Sequence, residues 1–152
     1  MHRWLKAGAT VVGGLVVVAG LGVAAGEWLA QRRAERVLEI QVAPVAFRDG
    51  PEVLERGAYL FASRGCGECH GDDGAGRLIV DDGAGTRLSG PNITTGNPSI
   101  AVYRPEDWVR TIRHGVRPNG QPLRLMPSED FNRLTDDDLA AIVAFVRQLP
   151  PA

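Results

Sequence analysis

Two cysteines and a histidine stand together in the segment Cys66-Gly67-Glu68-Cys69-His70. A C-x-x-C-H pattern is typical of the covalent attachment of c-type haem. Two thiols on one helical turn can form thioether bonds to both vinyl groups of the macrocycle, and the adjacent imidazole is a ligand that haem iron accepts. The sequence therefore predicts one covalent haem c, held by Cys66 and Cys69, with His70 as an axial iron ligand.

Three other chemistries use the same residue types. A thioredoxin-type C-x-x-C requires a βαβ pattern around it, and the surrounding sequence has none. A zinc site requires four ligands, and only His2 and His114 remain to complete one. A structural disulfide between the two cysteines leaves His70 unexplained. Haem attachment uses all three residues and does not require His2 or His114 as a further ligand.

The chain has one methionine besides Met1, and it is the candidate for the second axial ligand. Met126 follows the haem motif by 56 residues, in a proline-bounded loop before the last predicted helix. A lone methionine often only fills a gap in a core, but a loop at this place can bring a thioether to the iron, which raises the potential. His114 is the competitor and would give bis-histidine ligation. We interpret it instead as a charge at the C-terminal end of a helix.

Composition excludes several classes of protein. The 152 residues carry 17 basic and 18 acidic side chains, so no strong overall field points to a nucleic-acid partner. The length is too short for a Rossmann or TIM-barrel enzyme. Two cysteines cannot build a scaffold of several disulfides.

The N-terminus has the length and polarity of a membrane span. Residues 7–26 contain no charge, and Thr10 is the only polar side chain among them. At 1.5 Å per residue the run covers roughly 30 Å, the thickness of the hydrocarbon core. Trp4 and Trp28 bracket it, as expected for rings that prefer the headgroup layers. Residues 1–30 are therefore predicted to be a transmembrane anchor that holds the rest of the chain in the periplasm, at the inner membrane.

A cleaved signal peptide is the alternative interpretation of this segment. Arg3 and Lys6 would form its basic region, and residues 23–25 (Val-Ala-Ala) its cleavage site. The apolar run is longer than such peptides usually carry, and Trp28 has no role in one. Arg32, Arg33 and Arg36 lie on the exported side of the segment, which opposes the positive-inside rule. Both interpretations nevertheless place the rest of the chain outside the cytoplasm.

The exported part divides into a stalk or linker, residues 31–50, and a domain, residues 51–152. Helix formers over residues 27–40 predict a helical stalk that continues the anchor. Apolar spacing and capping residues predict helices from Pro51 to Ser63, from Pro105 to His114, and after Thr135. A hairpin is predicted between them, with residues 77–80 as one strand and the sequence DDGAG, residues 81–85, as its turn.

Over about residues 52–150 the chain resembles the class I c-type cytochromes, in particular the haem modules of membrane-bound bacterial dehydrogenase cytochrome subunits. The segments that carry the resemblance are Arg56-Gly57-Ala58-Tyr59-Leu60, the haem motif with Gly71, Gly90-Pro91-Asn92-Ile93-Thr94, Trp108 with Ile112-Arg113-His114-Gly115-Val116, Met126-Pro127, Phe131 with Leu134, Asp137-Asp138-Leu139, and residues 144–150. The resemblance implies a mainly α, class I cytochrome c fold: three to four short helices around one covalent haem, with a small β-hairpin insertion, after the transmembrane helix.

The resemblance also implies site residues. His70 and Met126 are the implied axial ligands. The Pro91 carbonyl is the implied acceptor for the Nδ1–H of His70, a contact that orients the ring, and Trp108 is a further residue beside the haem. The first and last helices of the domain are implied to cross at Gly57, against an aromatic residue near Phe145.

Electron transfer is the function that this resemblance implies. Two axial ligands leave no open iron position, so a membrane-anchored electron carrier, not an enzyme, is expected. Its partners would be a dehydrogenase, respiratory complex or oxidase. The similar dehydrogenase subunits carry three modules in one chain, whereas this chain has one motif. It is therefore either a stand-alone carrier or a small subunit of a complex. The alternatives are a haem-based redox or gas sensor and a small haem enzyme, both with a labile sixth ligand.

Charge placement gives a further hypothesis about docking. Residues 104–124 are rich in arginine, and residues 129–138 are acidic. Such runs are usually solvated faces, and some arginines can pair with haem propionates. If the arginines flank the haem edge, they steer a redox partner in a salt-dependent manner. The basic residues concerned are Arg104, Arg110, Arg113, Arg117 and Arg124.

Overall fold

The computed structural model describes residues 2–152 and shows a mainly helical chain with one two-stranded antiparallel sheet in that part. Its elements are α1 His2–Glu35, α2 Pro51–Ser63, α3 Cys66–His70, β1 Arg77–Asp81, β2 Arg87–Gly90, α4 Pro98–Ala101, α5 Pro105–His114, α6 Ser128–Phe131 and α7 Asp136–Gln148.

Helix α1 is long and apolar enough to cross a membrane. The candidate span, Thr10–Glu35, has a mean hydropathy of 1.8, and none of its most apolar stretch is buried. A signal sequence near an N-terminus has the same properties, so the helix agrees with both interpretations of this segment. The helix ends at Glu35 and not near residue 40, which corrects the expected length of the helical stalk.

The chain leaves the helical conformation at residue 36 because the next residues contact the body. Residues 36–47, here called the strap, have no regular secondary structure. The Leu38 amide donates a hydrogen bond to the Gly120 carbonyl oxygen at 2.8 Å, and Val45 is buried in the main core. Tertiary contacts thus override the helix propensity of this segment. The domain boundary at residue 51 stays a prediction; the strap before it packs on the same core.

The core forms where α2 crosses α7. Gly57 lies at the crossing, and a Cβ atom there would overlap the Ala141 carbonyl oxygen and approach the Phe145 Cβ to 2.8 Å. Only glycine allows the two backbones to come this close. The Phe61 and Phe145 rings lie 5.4 Å apart beside it. The crossing at Gly57 is the one that the resemblance implies.

Helix α7 supplies more of the buried apolar residues than any other described element, and its start is capped as its sequence predicts. The Thr135 side chain accepts a hydrogen bond from the Asp138 amide at 3.1 Å. An ion pair of 2.5 Å between Arg56 and Asp138 joins α2 to the same end. The residues of α7 that are buried are Leu139, Ala140, Ala141, Ile142, Val143, Ala144 and Val146.

The hairpin of β1 and β2 lies between the haem motif and α5. Arg77 pairs with Gly90 and Asp81 with Arg87, and a bulge shifts the register between Leu78 and Val80. In the turn, Asp82 Oδ1 accepts hydrogen bonds from the amides of Ala84 and Thr86, at 2.8 and 2.9 Å. The predicted strand over 77–80 is present and extends to Asp81, so the turn covers residues 82–86, one residue later than predicted.

Candidate haem site

The haem motif forms its own short helix, α3, between two glycines in the left-handed region. Gly65 has φ 73° before the helix and Gly71 has φ 77° after it. Side chains with a Cβ atom rarely adopt these angles. The two glycines confine Cys66–His70 to a little more than one helical turn, which gathers both thiols and the imidazole in one place.

The two cysteines differ in their environment. They form no disulfide with each other; Cys66 is half-buried and Cys69 is exposed. Burial raises the pKa of the Cys66 thiol, an effect that a backbone hydrogen bond to Cys66 partly offsets. Because its pKa lies above the usual value, Cys66 is a neutral thiol at physiological pH before haem is attached.

The imidazole of His70 is oriented by a backbone carbonyl. Its Nδ1 lies 2.9 Å from the Pro91 carbonyl oxygen. A carbonyl oxygen only accepts, so Nδ1 carries the proton in this contact, and the lone pair of the neutral ring lies on Nε2. That is the tautomer a histidine needs to bind a metal through Nε2, with a carbonyl fixing the ring.

A hydrogen-bond network holds the loop of Pro91. The Asn92 side-chain oxygen accepts from the amide and the hydroxyl of Thr94, at 2.7 and 2.8 Å. The Asn92 side-chain nitrogen donates to the Ala152 carbonyl oxygen at 2.8 Å, and Thr94 is fully buried. A Cβ atom on Gly90 would overlap the Cys69 carbonyl oxygen. Thr94 was not among the predicted site residues, although the Asn-x-Thr spacing next to Pro91 points to this network.

A cavity of about 720 Å³ adjoins the motif helix. Of the predicted site residues it is lined by Cys66, His70, Pro91, Trp108 and Met126. The remaining wall is largely apolar and includes Phe61, Ile93, Ile100, Tyr103, Ile112, Leu123, Leu125, Phe131, Leu134, Ile142, Val143 and Val146. This volume falls in the range of cofactor sites.

The donor set and the wall fit a haem. Thiol, imidazole and thioether groups border one apolar space large enough for a flat macrocycle. In contrast, residues 2–152 as described contain no group of three or more His, Cys, Asp or Glu that could hold a metal ion, so the zinc hypothesis has no ligand set there.

The two candidates for the second axial ligand lie in different places. Met126 is half-buried, packs against the core and lines the cavity. His114, the last residue of α5, is exposed and is not among the residues that line it. Gly115 follows His114 in the left-handed conformation, with φ 63°, and ends the helix. This placement favours Met126.

The arginines of residues 104–124 divide into two groups. Arg104 and Arg110 pair with Asp107, at 3.4 and 2.5 Å. Arg113 pairs with Asp136 of α7 at 2.7 Å, so these three arginines have partners within the chain. The docking hypothesis therefore narrows to the other two, Arg117 and Arg124, which are exposed and border the cavity.

A short helix bearing C-x-x-C-H, an oriented histidine and an apolar cavity between packed helices together define a c-type cytochrome domain. The chain belongs to the family described as cytochrome c oxidase, cbb3-type, subunit III, which it matches over residues 52–146. The predicted class of protein is thereby confirmed, and the domain carries covalently bound haem c. The oxidase subunit was not part of the expected resemblance.

Curated relatives include the cytochrome subunits of dehydrogenases. The chain is 35% identical to the fructose dehydrogenase cytochrome subunit of Gluconobacter japonicus over 100 residues, which are 61% of this chain and 20% of that one. It is 36% identical over 105 residues to the cytochrome c subunit of alcohol dehydrogenase (quinone) of Gluconobacter oxydans (strain 621H), 64% and 22% of the two chains.

A third relative belongs to an oxidase. The cbb3-type cytochrome c oxidase subunit CcoP of Helicobacter pylori (strain 52) is 27% identical over 112 residues, 73% of this chain and 33% of that one. The chain thus spans about a fifth to a third of the length of these relatives.

Proposed function

We propose that this protein is a membrane-anchored periplasmic cytochrome of the class I fold that relays single electrons through one haem ligated by His70 and Met126. One observation carries the proposal: the oriented imidazole of His70, the thiol of Cys66 and the thioether of Met126 all border the same apolar cavity.

Each residue has a role that follows from its chemistry. Haem c, when bound, supplies a one-electron couple at its iron. Cys66 and Cys69 would hold the macrocycle by thioether bonds, and the Pro91 carbonyl keeps the His70 ring in the metal-binding tautomer. The apolar wall, with Trp108 buried in it, excludes water from the ligands. Occupation of both axial positions would leave no site for a substrate, which favours a relay over an enzyme.

The redox partners are proposed from the names of the relatives. Relatives of this chain are cytochrome subunits of dehydrogenases and of an oxidase. We therefore assign the electron donor to a dehydrogenase or quinol-oxidising complex and the acceptor to a terminal oxidase or its carrier, with the anchor keeping the cytochrome at the inner membrane.

A test with carbon monoxide separates this function from the sensor and enzyme alternatives. The reduced, full-length protein is expected to bind no carbon monoxide at neutral pH and to titrate as one single-electron centre, because two protein ligands hold the iron. Optical spectra with and without the gas check this. Ready binding to the wild-type ferrous protein would favour a sensor or an enzyme with a labile sixth ligand.

Topology is tested by the mass of the mature protein. Since the apolar part of α1 has bilayer length and lies between Trp4 and Trp28, we expect it to remain attached. Intact-mass analysis of protein from membranes should find the N-terminal segment, and alkaline carbonate should not extract the haem. A mature chain that begins near Gly26 would show that the segment is a cleaved signal.

A further inference from the structure

The anchor helix leaves the body at the haem cavity. Ala34 and Glu35, its last two residues, line the cavity together with Met126. None of the most apolar stretch of the helix that precedes them is buried. The cavity therefore opens on the side of the domain from which the membrane helix projects.

The strap packs on the body at several points. Besides the hydrogen bond between Leu38 and Gly120 at 2.8 Å, the Val37 side chain packs on Gly120. A Cβ atom there would lie 2.5 Å from Val37 Cγ1. Gly120 has φ 82°, which favours glycine, and the residue after it, Gln121, lines the cavity. Val45 anchors the other end of the strap in the core. The strap thus connects the end of α1 to the cavity rim at Leu38 and to the core at Val45.

The bilayer surface must then lie close to the cavity. The Arg32 guanidinium lies 4.0 Å from the centre of the Trp28 ring, and a tryptophan in this position marks the headgroup layer. From Trp28 to Glu35 the helix rises by about 10 Å. This is comparable to the depth of the headgroup region, which is roughly 5–8 Å per leaflet.

The charges around the cavity mouth fit an anionic surface. Arg33 and Arg36 at the helix end, and Arg117 and Arg124 on the cavity rim, are exposed and have no ion pair in residues 2–152 as described. Each arginine near an anionic membrane contributes about 1 kcal/mol of attraction, a fivefold effect on binding. Contact with headgroups also gives a reason for arginines that stand on the exported side of the anchor.

We propose that the face formed by Arg33, Arg36, Arg117 and Arg124 lies on anionic phospholipid headgroups and holds the haem cavity at the membrane surface. The proposal rests on the anchor and the haem ligation proposed above. Electrons would then be exchanged close to the membrane plane and not at a domain that swings freely in the periplasm.

The test measures how near the haem lies to lipid headgroups. Full-length, haem-loaded protein is placed in phosphatidylcholine vesicles, with or without phosphatidylglycerol, that contain a headgroup spin label. Ferric iron speeds the relaxation of a nearby label. For the wild type we expect strong enhancement in both lipids, because the strap holds the domain in place.

A spacer variant isolates the contribution of the charges. An insertion of about ten Gly and Ser residues between Glu35 and Arg36 lets the domain move by about 18 Å. In this variant the enhancement should persist with phosphatidylglycerol and fall several-fold without it. Adding Arg117→Glu and Arg124→Glu to the spacer variant should abolish the enhancement in both lipids. Each arginine removed should weaken binding of the domain to the membrane about fivefold. There are two controls. The first is Arg147→Glu, at an exposed arginine on α7, and the second is the same spacer inserted between Gly83 and Ala84.

Three outcomes would overturn the proposal. Weak enhancement in the wild type would mean that the cavity faces away from the membrane. An equal loss in both lipids for the spacer variant would mean that only the tether keeps the domain near. An Arg124→benzoylphenylalanine variant that cross-links to a polypeptide instead of lipid in native membranes would assign the face to a protein partner. A cleaved anchor or missing haem in the same preparation would instead refute the proposed function.

Discussion

Replacing Met126 with alanine is expected to open the iron and let the ferrous protein bind carbon monoxide. Met126 is half-buried, borders the cavity and lies between Pro122 and Pro127, which restrict the backbone of its loop. Without the thioether no other side chain on this loop is a good ligand. Met126→His should keep a six-coordinate, low-spin haem but lower the potential markedly, because imidazole replaces thioether. Optical spectra and a redox titration measure both effects.

His114→Ala is the matched control for this experiment. His114 is exposed and does not border the cavity, so its removal should leave the spectrum nearly unchanged. The bis-histidine hypothesis predicts the reverse, a changed spectrum for His114→Ala and a nearly unchanged one for Met126→Ala. A wild-type ferric spectrum without the thioether–iron charge-transfer band, together with high-spin haem in His114→Ala, would overturn the assignment of Met126.

Cys66→Ser combined with Cys69→Ser is expected to give a largely unfolded or degraded domain. The cavity of about 720 Å³ is walled by side chains of α5 and α7, so without its occupant the small core loses a large share of its packing. A group that binds only the folded state stabilises it, and the two proposed thioether bonds would retain that group. Haem content, protease sensitivity and the dispersion of the NMR spectrum measure the loss.

Glu68→Ala serves as the control inside the same motif. Glu68 is exposed on α3 and does not line the cavity, so this variant should keep both its haem and its fold. A well-dispersed NMR spectrum from the double serine variant would contradict the coupling of haem binding to folding.

Local features of the chain could be predicted from the sequence because short-range chemistry decides them. The haem motif needs only the spacing of Cys66, Cys69 and His70. The hairpin turn at Asp82 follows from aspartate and glycine conformations, and the start of α7 follows from the Thr135 cap. Met126 was a candidate by elimination, since composition left few other ligands.

The relative placement of these features depended on contacts between residues far apart in sequence. Residues 36–40 carry good helix formers, yet α1 ends at Glu35 because Leu38 bonds to Gly120 and Val45 enters the core. The arginine run looked uniform in sequence, but the position of Asp136 on another helix gives Arg113 a partner.

The sequence by itself thus determined the cofactor and the apolar N-terminal helix, and it predicted the residues proposed to attach the haem, since each depends on residue type and close spacing. Only the tertiary structure decided that the anchor ends at the haem cavity, where Glu35 and Met126 border one space. The physical reason is that a contact between residues so distant in the chain is specified by the packing of the whole core, and no local pattern encodes it.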